Sequence, residues 1–192
     1  MPEHVLVIGM MGAGKTTVGR AVAAAMRRPF LDSDAEILER TGLTVPEIFA
    51  TKGEPAFRGE ERAVLAAALT SPVPSVIAVA GGAVFNPDSR RRIRAGGVVV
   101  WLRARPQTLA GRVGVGNERP LLEHDPAGTI ARLDALRRPV YRSLADVAVD
   151  VDGVAPSGVA ERVTRLARVW LDERSDAADQ AARFRLSAGS SR

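Results

Sequence analysis

The chain of 192 residues has no cysteine, which excludes disulfides, thiolate nucleophiles and cysteine metal centres and sits easily with a reducing cytosol. Aromatic residues are scarce at 4%, so little stacking surface is offered to bases. That scarcity weighs against a nucleic-acid partner, although a net charge of +5 and a sequence pI near 10.8 would admit one. The arginines are scattered, and an enzyme of anionic substrates needs positive charge just as much. No apolar run is long enough to cross a bilayer, and the apolar N-terminal stretch lacks a basic leader, so neither a membrane nor a targeting route is expected. Internal repeats are lacking too. What is present, 46% hydrophobic and 26% charged residues, suits one globular cytoplasmic domain. Its expected extent is 1–172, as a monomer. From Asp172 the apolar periodicity fades into DERSDAADQAARFRLSAGSSR, so 173–192 reads as a frayed or disordered polar tail.

The chain is organised around GMMGAGKTT, Gly9 to Thr17, which fits the phosphate-loop pattern G-x-x-x-x-G-K-[ST]. The run Val5 to Ile8 before it reads as a strand buried on both faces, and Val18, Val22 and Met26 after it recur at helical spacing. A phosphate at such a junction meets the free N–H groups of a helix's first turn. Gly12, Ala13 and Gly14 form the cradle, the glycines letting the backbone wrap a phosphate where a Cβ would collide. Lys15 reaches the outer phosphates, Thr16 ligates Mg²⁺ through its hydroxyl, and Thr17 completes the nucleotide-binding set. A glycine-rich turn with a chance lysine is the plain alternative, and the flanking strand and helix weigh against it.

A second strand, Pro29 to Leu31, runs into DSD. Residues two apart on extended chain point the same way, so Asp32 and Asp34 can both face a cleft beside the phosphate loop. Asp32 is assigned to water-mediated Mg²⁺ binding and Asp34 to the hydroxyl that receives the phosphoryl group. Asp34 before AEILER would equally serve as a helix N-cap. From Ala35 to Leu69, apolar residues at helical spacing, punctuated by Gly42 and Gly53, mark a helical insert over a substrate. Within it Arg58 stands three residues from Glu61, a spacing that can hold a guanidinium for bidentate contact with a carboxylate; a surface ion pair is the alternative.

Val76 to Val79 is the third strand, followed by AGGAV, where Gly81 and Gly82 either press backbone against a ligand or simply turn into a helix near Pro87. No Asp ends that strand, which strengthens the metal role of Asp32. After a fourth strand, Val98 to Leu102, residues 111–125 have the composition of a lid. Arg112 could stack on adenine and Arg119 could stabilise charge on the transferring phosphate, unless the segment is an ordinary surface loop. A helix from Ala127 to Leu136 leads into RRPVY, where Arg137 or Arg138 can face the cleft. A fifth strand, Val147 to Val151, and a helix striped by Val159, Val163, Leu166 and Trp170 follow. The alternation predicts a three-layer α/β/α domain with a parallel sheet.

Together these stretches resemble the shikimate kinases, small relatives of the nucleoside monophosphate kinases. The likeness runs from Val5 to about Trp170 through GMMGAGKTT, FLDSD, TGLTVPEIFATKGEPAFRGEE, AGGAV, NERPLL and RRPVY. It implies a P-loop kinase fold with a five-stranded parallel sheet in the order 2-3-1-4-5, ATP as co-substrate with Mg²⁺, and phosphorylation of the 3-hydroxyl of shikimate in aromatic amino-acid biosynthesis. Asp34, Arg58, Gly81 with Gly82, and Arg137 would then bind shikimate, and Lys15, Thr16 and Asp32 would serve the phosphates and the metal. Arg112 and Arg119 would serve the nucleotide. Arg58 and Arg137 match the family's carboxylate-binding arginines, the second by standing four residues before Tyr141.

Two departures stand out. Ala80 occupies the first of three positions where the family usually has glycines, and its methyl is harmless only if its φ is negative. The family also tends to place an Arg after the fifth strand, near adenine, and VDGVAP offers none. A gluconate kinase would share the loop, the fold and a similar paired-Asp segment, but FRGEE, AGGAV and RRPVY speak against it. A regulatory nucleotide binder without turnover would have no use for Asp34 aimed at an acceptor hydroxyl.

Overall fold

Strand β1, His4–Ile8, is buried at every position, as a continuous apolar run requires when both faces of a parallel sheet are covered. In the computed structural model, which describes residues 3–113 and 125–189 with side chains through 177, β1 is the middle strand of a five-stranded sheet ordered β2-β3-β1-β4-β5. Its neighbours are β2 (Phe30–Asp32), β3 (Val76–Ala78), β4 (Gly97–Arg103) and β5 (Val147–Asp150). Every pairing is parallel, and Leu6 stands opposite both Ile77 and Val99. The fold class and strand order agree with the sequence reading, with strand ends differing by about a residue.

Helices α1 (Lys15–Met26) and α7 (Pro156–Gly189) pack together on one face of the sheet, and α4 (Pro87–Gly96) and α6 (Pro126–Leu144) cover the other. The insert consists of α2 (Ser33–Thr41) and α3 (Val45–Thr70), which pack on each other, while α5 (Pro106–Val113) lies against α6. The main core is built on the sheet, but Ile37, Ile48, Phe57 and Val64 form a separate buried cluster inside the insert. That cluster includes the Phe49–Phe57 ring contact, with centroids 5.0 Å apart.

Three elements depart from expectation. Helix α3 carries a non-helical residue at Gly53 (φ 77°, ψ 168°), two residues before Pro55, so its first two turns are kinked against the rest. Helix α6 does not stop at Leu136 but passes through Pro139 to Leu144. The reason is that Pro139 sits on the exposed side, while the buried stripe Ile130, Asp134, Arg137, Tyr141 and Leu144 keeps helical spacing across it. Helix α7 continues past Asp172 to Gly189. The polar stretch is rich in Ala and Arg and has no Pro or Gly before Gly189, so local propensity carries the backbone on where the apolar stripe has ended. No helix among the described residues is long and apolar enough to cross a membrane.

Candidate active site

Most helices near the cleft start on a capping side chain: Asp32 for α2, Thr44 for α3, Asn86 for α4 and Asp125 for α6. Helix α1 starts at Gly14 (φ 91°) with no side-chain cap. Its first-turn N–H groups, at the positive end of the helix dipole, are therefore uncovered toward an anion. Gly9 and Gly12 also lie at positive φ, 146° and 78°. A Cβ at Gly12 would stand 2.9 Å from Val113 Cγ2 and 3.0 Å from the Leu109 carbonyl, so α5 backs the loop directly. Ala13 is buried and its N–H donates to the Met10 carbonyl at 3.2 Å, and Thr17 lies exposed in the first turn of α1. Lys15 Nζ donates to the Gly9 and Met10 carbonyls at 3.0 and 3.3 Å, lying back over the loop.

Thr16 Oγ1 donates to Asp32 Oδ2 at 2.5 Å, and Asp32 Oδ1 accepts the Asp34 N–H at 3.1 Å. Donating its proton leaves the Thr16 hydroxyl with its lone pairs available, and a hydroxyl beside a carboxylate is the hard oxygen pair that suits Mg²⁺. The N-cap is thus Asp32, and the alternative reading of Asp34 as the cap does not hold. The extended-chain argument for Asp34 also fails, because the backbone becomes helical at Ser33, whose buried hydroxyl donates to the Ala78 carbonyl at 2.8 Å. Asp34 occupies the exposed first turn of α2, linked through Asp32 to Thr16 at the start of α1.

The other half of the cleft is made by side chains around the two glycines after β3. An ideal Cβ on Gly82 would lie 1.7 Å from Arg58 Nη1 and 2.8 Å from Glu61 Oε2, and one on Gly81 would lie 2.7 Å from Arg137 Nη1. Arg58 from the insert and Arg137 from α6 therefore converge on one glycine pair. Arg58 is held by Glu61 at 2.6 Å and Glu54 at 2.9 Å, one pair three residues on and one four residues back. Glu61 is 3% exposed, and burial pushes its carboxyl above the usual range; Arg58 pulls it down, Asp34 pushes it up, and Arg137 again lowers it. Arg137 is buried and stacks over Phe85, its guanidinium carbon 5.7 Å from the ring centroid. An open cavity of about 310 Å³ lies between Arg58, Glu61, Gly82 and Phe85.

Arg138 faces elsewhere, pairing with Asp134 at 2.7 Å, donating to the Ala104 carbonyl and stacking over Trp101. Arg112 donates to the Gly12 carbonyl at 3.4 Å and the Val151 carbonyl at 3.0 Å, which joins the end of α5 to the phosphate loop. Arg119, with the rest of 114–124, lies outside the described residues. Ala80 causes no strain: among described non-glycine residues positive φ occurs at Arg27 only. After β5, where no arginine stands, Asp152 accepts from the Arg105 N–H and side chain at 3.1 to 3.2 Å. Sequence reasoning passed over Glu54 and Phe85 and used Tyr141 only to place Arg137. Glu54 alone had a signal, its four-residue spacing from Arg58.

A parallel sheet in this order, an uncapped helix behind Gly14-Lys15-Thr16 and two arginines converging on one glycine pair after β3 define a P-loop small-molecule kinase. Comparison with known proteins gives the particular group. The profile of the shikimate kinase family matches residues 11–168, and the chain belongs to that family. It is 44% identical over 169 residues to the shikimate kinase of Pseudomonas syringae pv. tomato, spanning 87% of this chain and 98% of that one. It is 41% identical over 172 residues to that of Moorella thermoacetica, spanning 90% and 98%. Among solved structures, a shikimate kinase from Acinetobacter baumannii in complex with shikimate superposes with a TM-score of 0.81 at 36% identity, over 86% of this chain and 92% of that one. A gluconokinase from Sinorhizobium meliloti, at 22% identity and a TM-score of 0.56 over 91% of this chain and 97% of that one, shares the fold alone.

Proposed function

We propose that this kinase transfers the γ-phosphoryl group of ATP to the 3-hydroxyl of shikimate, with Arg58 and Arg137 holding the acceptor's carboxylate and Asp34 addressing its hydroxyl. The observation that carries this assignment is the convergence of the two arginines on Gly81 and Gly82. A planar guanidinium pair around a space with no Cβ suits a carboxylate held in one orientation. Asp34 stands in the first turn of α2, close enough to Glu61 for its charge to raise that group.

The acceptor oxygen forms a bond to the γ-phosphorus as the bond from that phosphorus to the β–γ bridging oxygen breaks. The hydroxyl proton passes to Asp34, and ADP leaves. A loose phosphoryl-transfer transition state needs little prior deprotonation, so the main contribution of Asp34 is alignment. Lys15 and the first-turn N–H groups of α1 offset charge on the phosphates, with Arg112 on the nucleotide side and Arg119 assigned to the γ-phosphate. Thr16 and, through water, Asp32 are the residues that would hold Mg²⁺, which supplies charge neutralisation on the phosphate oxygens. We read the enzyme as a cytoplasmic monomer, and light scattering in solution checks its mass.

ADP release with shikimate, gluconate or no acceptor tests the reading. Turnover with shikimate alone is expected; preference for gluconate, or ATP use independent of any acceptor, would overturn it. Shikimate carboxamide should be rejected, since a partly desolvated arginine pair loses its anion.

A further inference from the structure

Among the described residues, buried side-chain polar atoms without a hydrogen-bond partner are His4 Nε2, Thr164 Oγ1, Arg137 Nε and Tyr141 Oη. The last two are neighbours. The same hypothetical Cβ on Gly81 that meets Arg137 Nη1 at 2.7 Å would stand 3.5 Å from Tyr141 Oη, so hydroxyl and guanidinium flank one glycine from successive turns of α6. Tyr141 has no exposed surface and packs against Trp101, ring centroids 6.1 Å apart. Burial pushes its phenol up to about 12, with the nearby Arg137 charge opposing, so the group keeps its proton at any working pH. A protonated phenol can accept from a guanidinium, which only donates.

Arg58 and Arg137 are supported differently. Arg58 is clamped by Glu54 and Glu61. No ion pair engages Arg137 among the described residues; around it are the Phe85 face, Gly81 and the Tyr141 hydroxyl, and Glu61, which is bonded to Arg58, is felt only through its charge. A cation without a carboxylate clamp keeps its charge for an incoming anion but needs something neutral to fix its plane. A hydroxyl does this without competing for the ligand.

We propose that Tyr141 is a positioning residue for acceptor binding: its hydroxyl orients the Arg137 guanidinium toward the acceptor's carboxylate. The proposal rests on the reading of Arg137 as a carboxylate ligand. Sequence reasoning used Tyr141 only as a landmark for Arg137, and a tyrosine at the core of a helix–sheet interface would otherwise count as packing.

The test is a cycle of Tyr141→Phe, Arg137→Ala and the double variant, with kcat, both KM values, shikimate against its carboxamide, and thermal unfolding measured in each. Tyr141→Phe keeps the ring and its packing on Trp101 and removes one oxygen. It is expected to raise the shikimate KM about 10-fold, in the range for a hydrogen bond to a charged group, and to weaken rejection of the amide. Its kcat and its KM for ATP should stay within about twofold, because no reacting atom is touched. In the Arg137→Ala background the same change should have no further effect, since the hydroxyl acts through the arginine. An unchanged shikimate KM in Tyr141→Phe, beside a large loss in Arg137→Ala, overturns the positioning role and leaves the carboxylate reading standing. An unchanged shikimate KM in Arg137→Ala overturns both. Additive losses in the double variant also overturn the proposal, because they would mean that Tyr141 acts independently.

Discussion

At the end of the cleft that we assign to the phosphates Gly9, Gly12 and Gly14 hold φ values of 146°, 78° and 91°, whereas at the end that we assign to the acceptor Gly82 has ordinary right-handed backbone, φ −84° and ψ −28°. The first set is glycine for conformation and turns backbone N–H groups outward; the second is glycine for space, because Arg58 stands where its Cβ would be. The donor half is therefore a backbone site, fixed once the loop folds. The acceptor half is a side-chain site, assembled from three elements far apart in sequence. Damage should spread differently in the two halves.

The largest effects should come from one change in each half. Lys15→Ala and Asp34→Asn are each expected to lower shikimate-dependent ADP release by orders of magnitude, the first by losing charge on the phosphates and the second by losing alignment of the acceptor oxygen. Near-normal turnover in Asp34→Asn would remove it from the acceptor site. Next in size is Gly82→Ala. Its methyl displaces the end of Arg58, a flexible group, so the fold should survive while shikimate kcat/KM falls about 30-fold to 1,000-fold, matching the loss of one partner of a charged hydrogen-bonded pair. The KM for ATP should hold; a parallel rise would mean that the halves are not separable.

Gly12→Ala should behave in the opposite way. An L-residue forced to this positive φ costs about 1–2 kcal/mol, and its Cβ also presses on the Leu109 carbonyl and Val113. Thermal unfolding should drop by several degrees and the KM for ATP should rise, with shikimate affinity kept. The smallest effect concerns pH. Burial raises the pKa of Glu61 above its ordinary 4.5, so the native state holds that proton more tightly than the unfolded chain. Its contribution is complete below 4.5 and is lost as pH rises through the higher native value. Glu61→Gln cannot ionise, so its melting temperature should fall less than that of the wild type across this window; parallel profiles would show that Glu61 is solvated after all.

The same contrast explains what could be read in the chain before it was folded. The phosphate loop and the parallel three-layer sheet were legible because a local motif and a strand–helix alternation determine them, whereas the strand order was implied only by the resemblance to the shikimate kinases. Gly82 was ambiguous, since the space it yields belongs to Arg58, 24 positions earlier in the chain. Asp34 was given the right neighbourhood on the wrong local geometry, because the switch to helix at Ser33 is fixed by Asp32 acting as cap. The passage of α6 through Pro139 was hidden for a related reason: packing of Tyr141 and Leu144 overrides a local breaker, and packing partners are not adjacent in sequence.

Asp32 joins these halves in a way that can be stated as a tolerance. One of its oxygens takes the Thr16 hydroxyl at the root of α1 and the other takes the Asp34 N–H at the start of α2. On the proposed assignment, the separation between Thr16 on the phosphate side and Asp34 on the acceptor side is thus gauged by a single three-atom carboxylate rather than accumulated over the sequence separation of sixteen from Thr16 to Asp32. Errors in the length of the intervening helix or turn are cancelled at that gauge. A chain bearing Glu there would keep charge and hydrogen-bonding capacity and still be out of specification, because one added methylene lengthens the gauge by about 1.5 Å, against the roughly 0.5 Å within which a reacting constellation must be held.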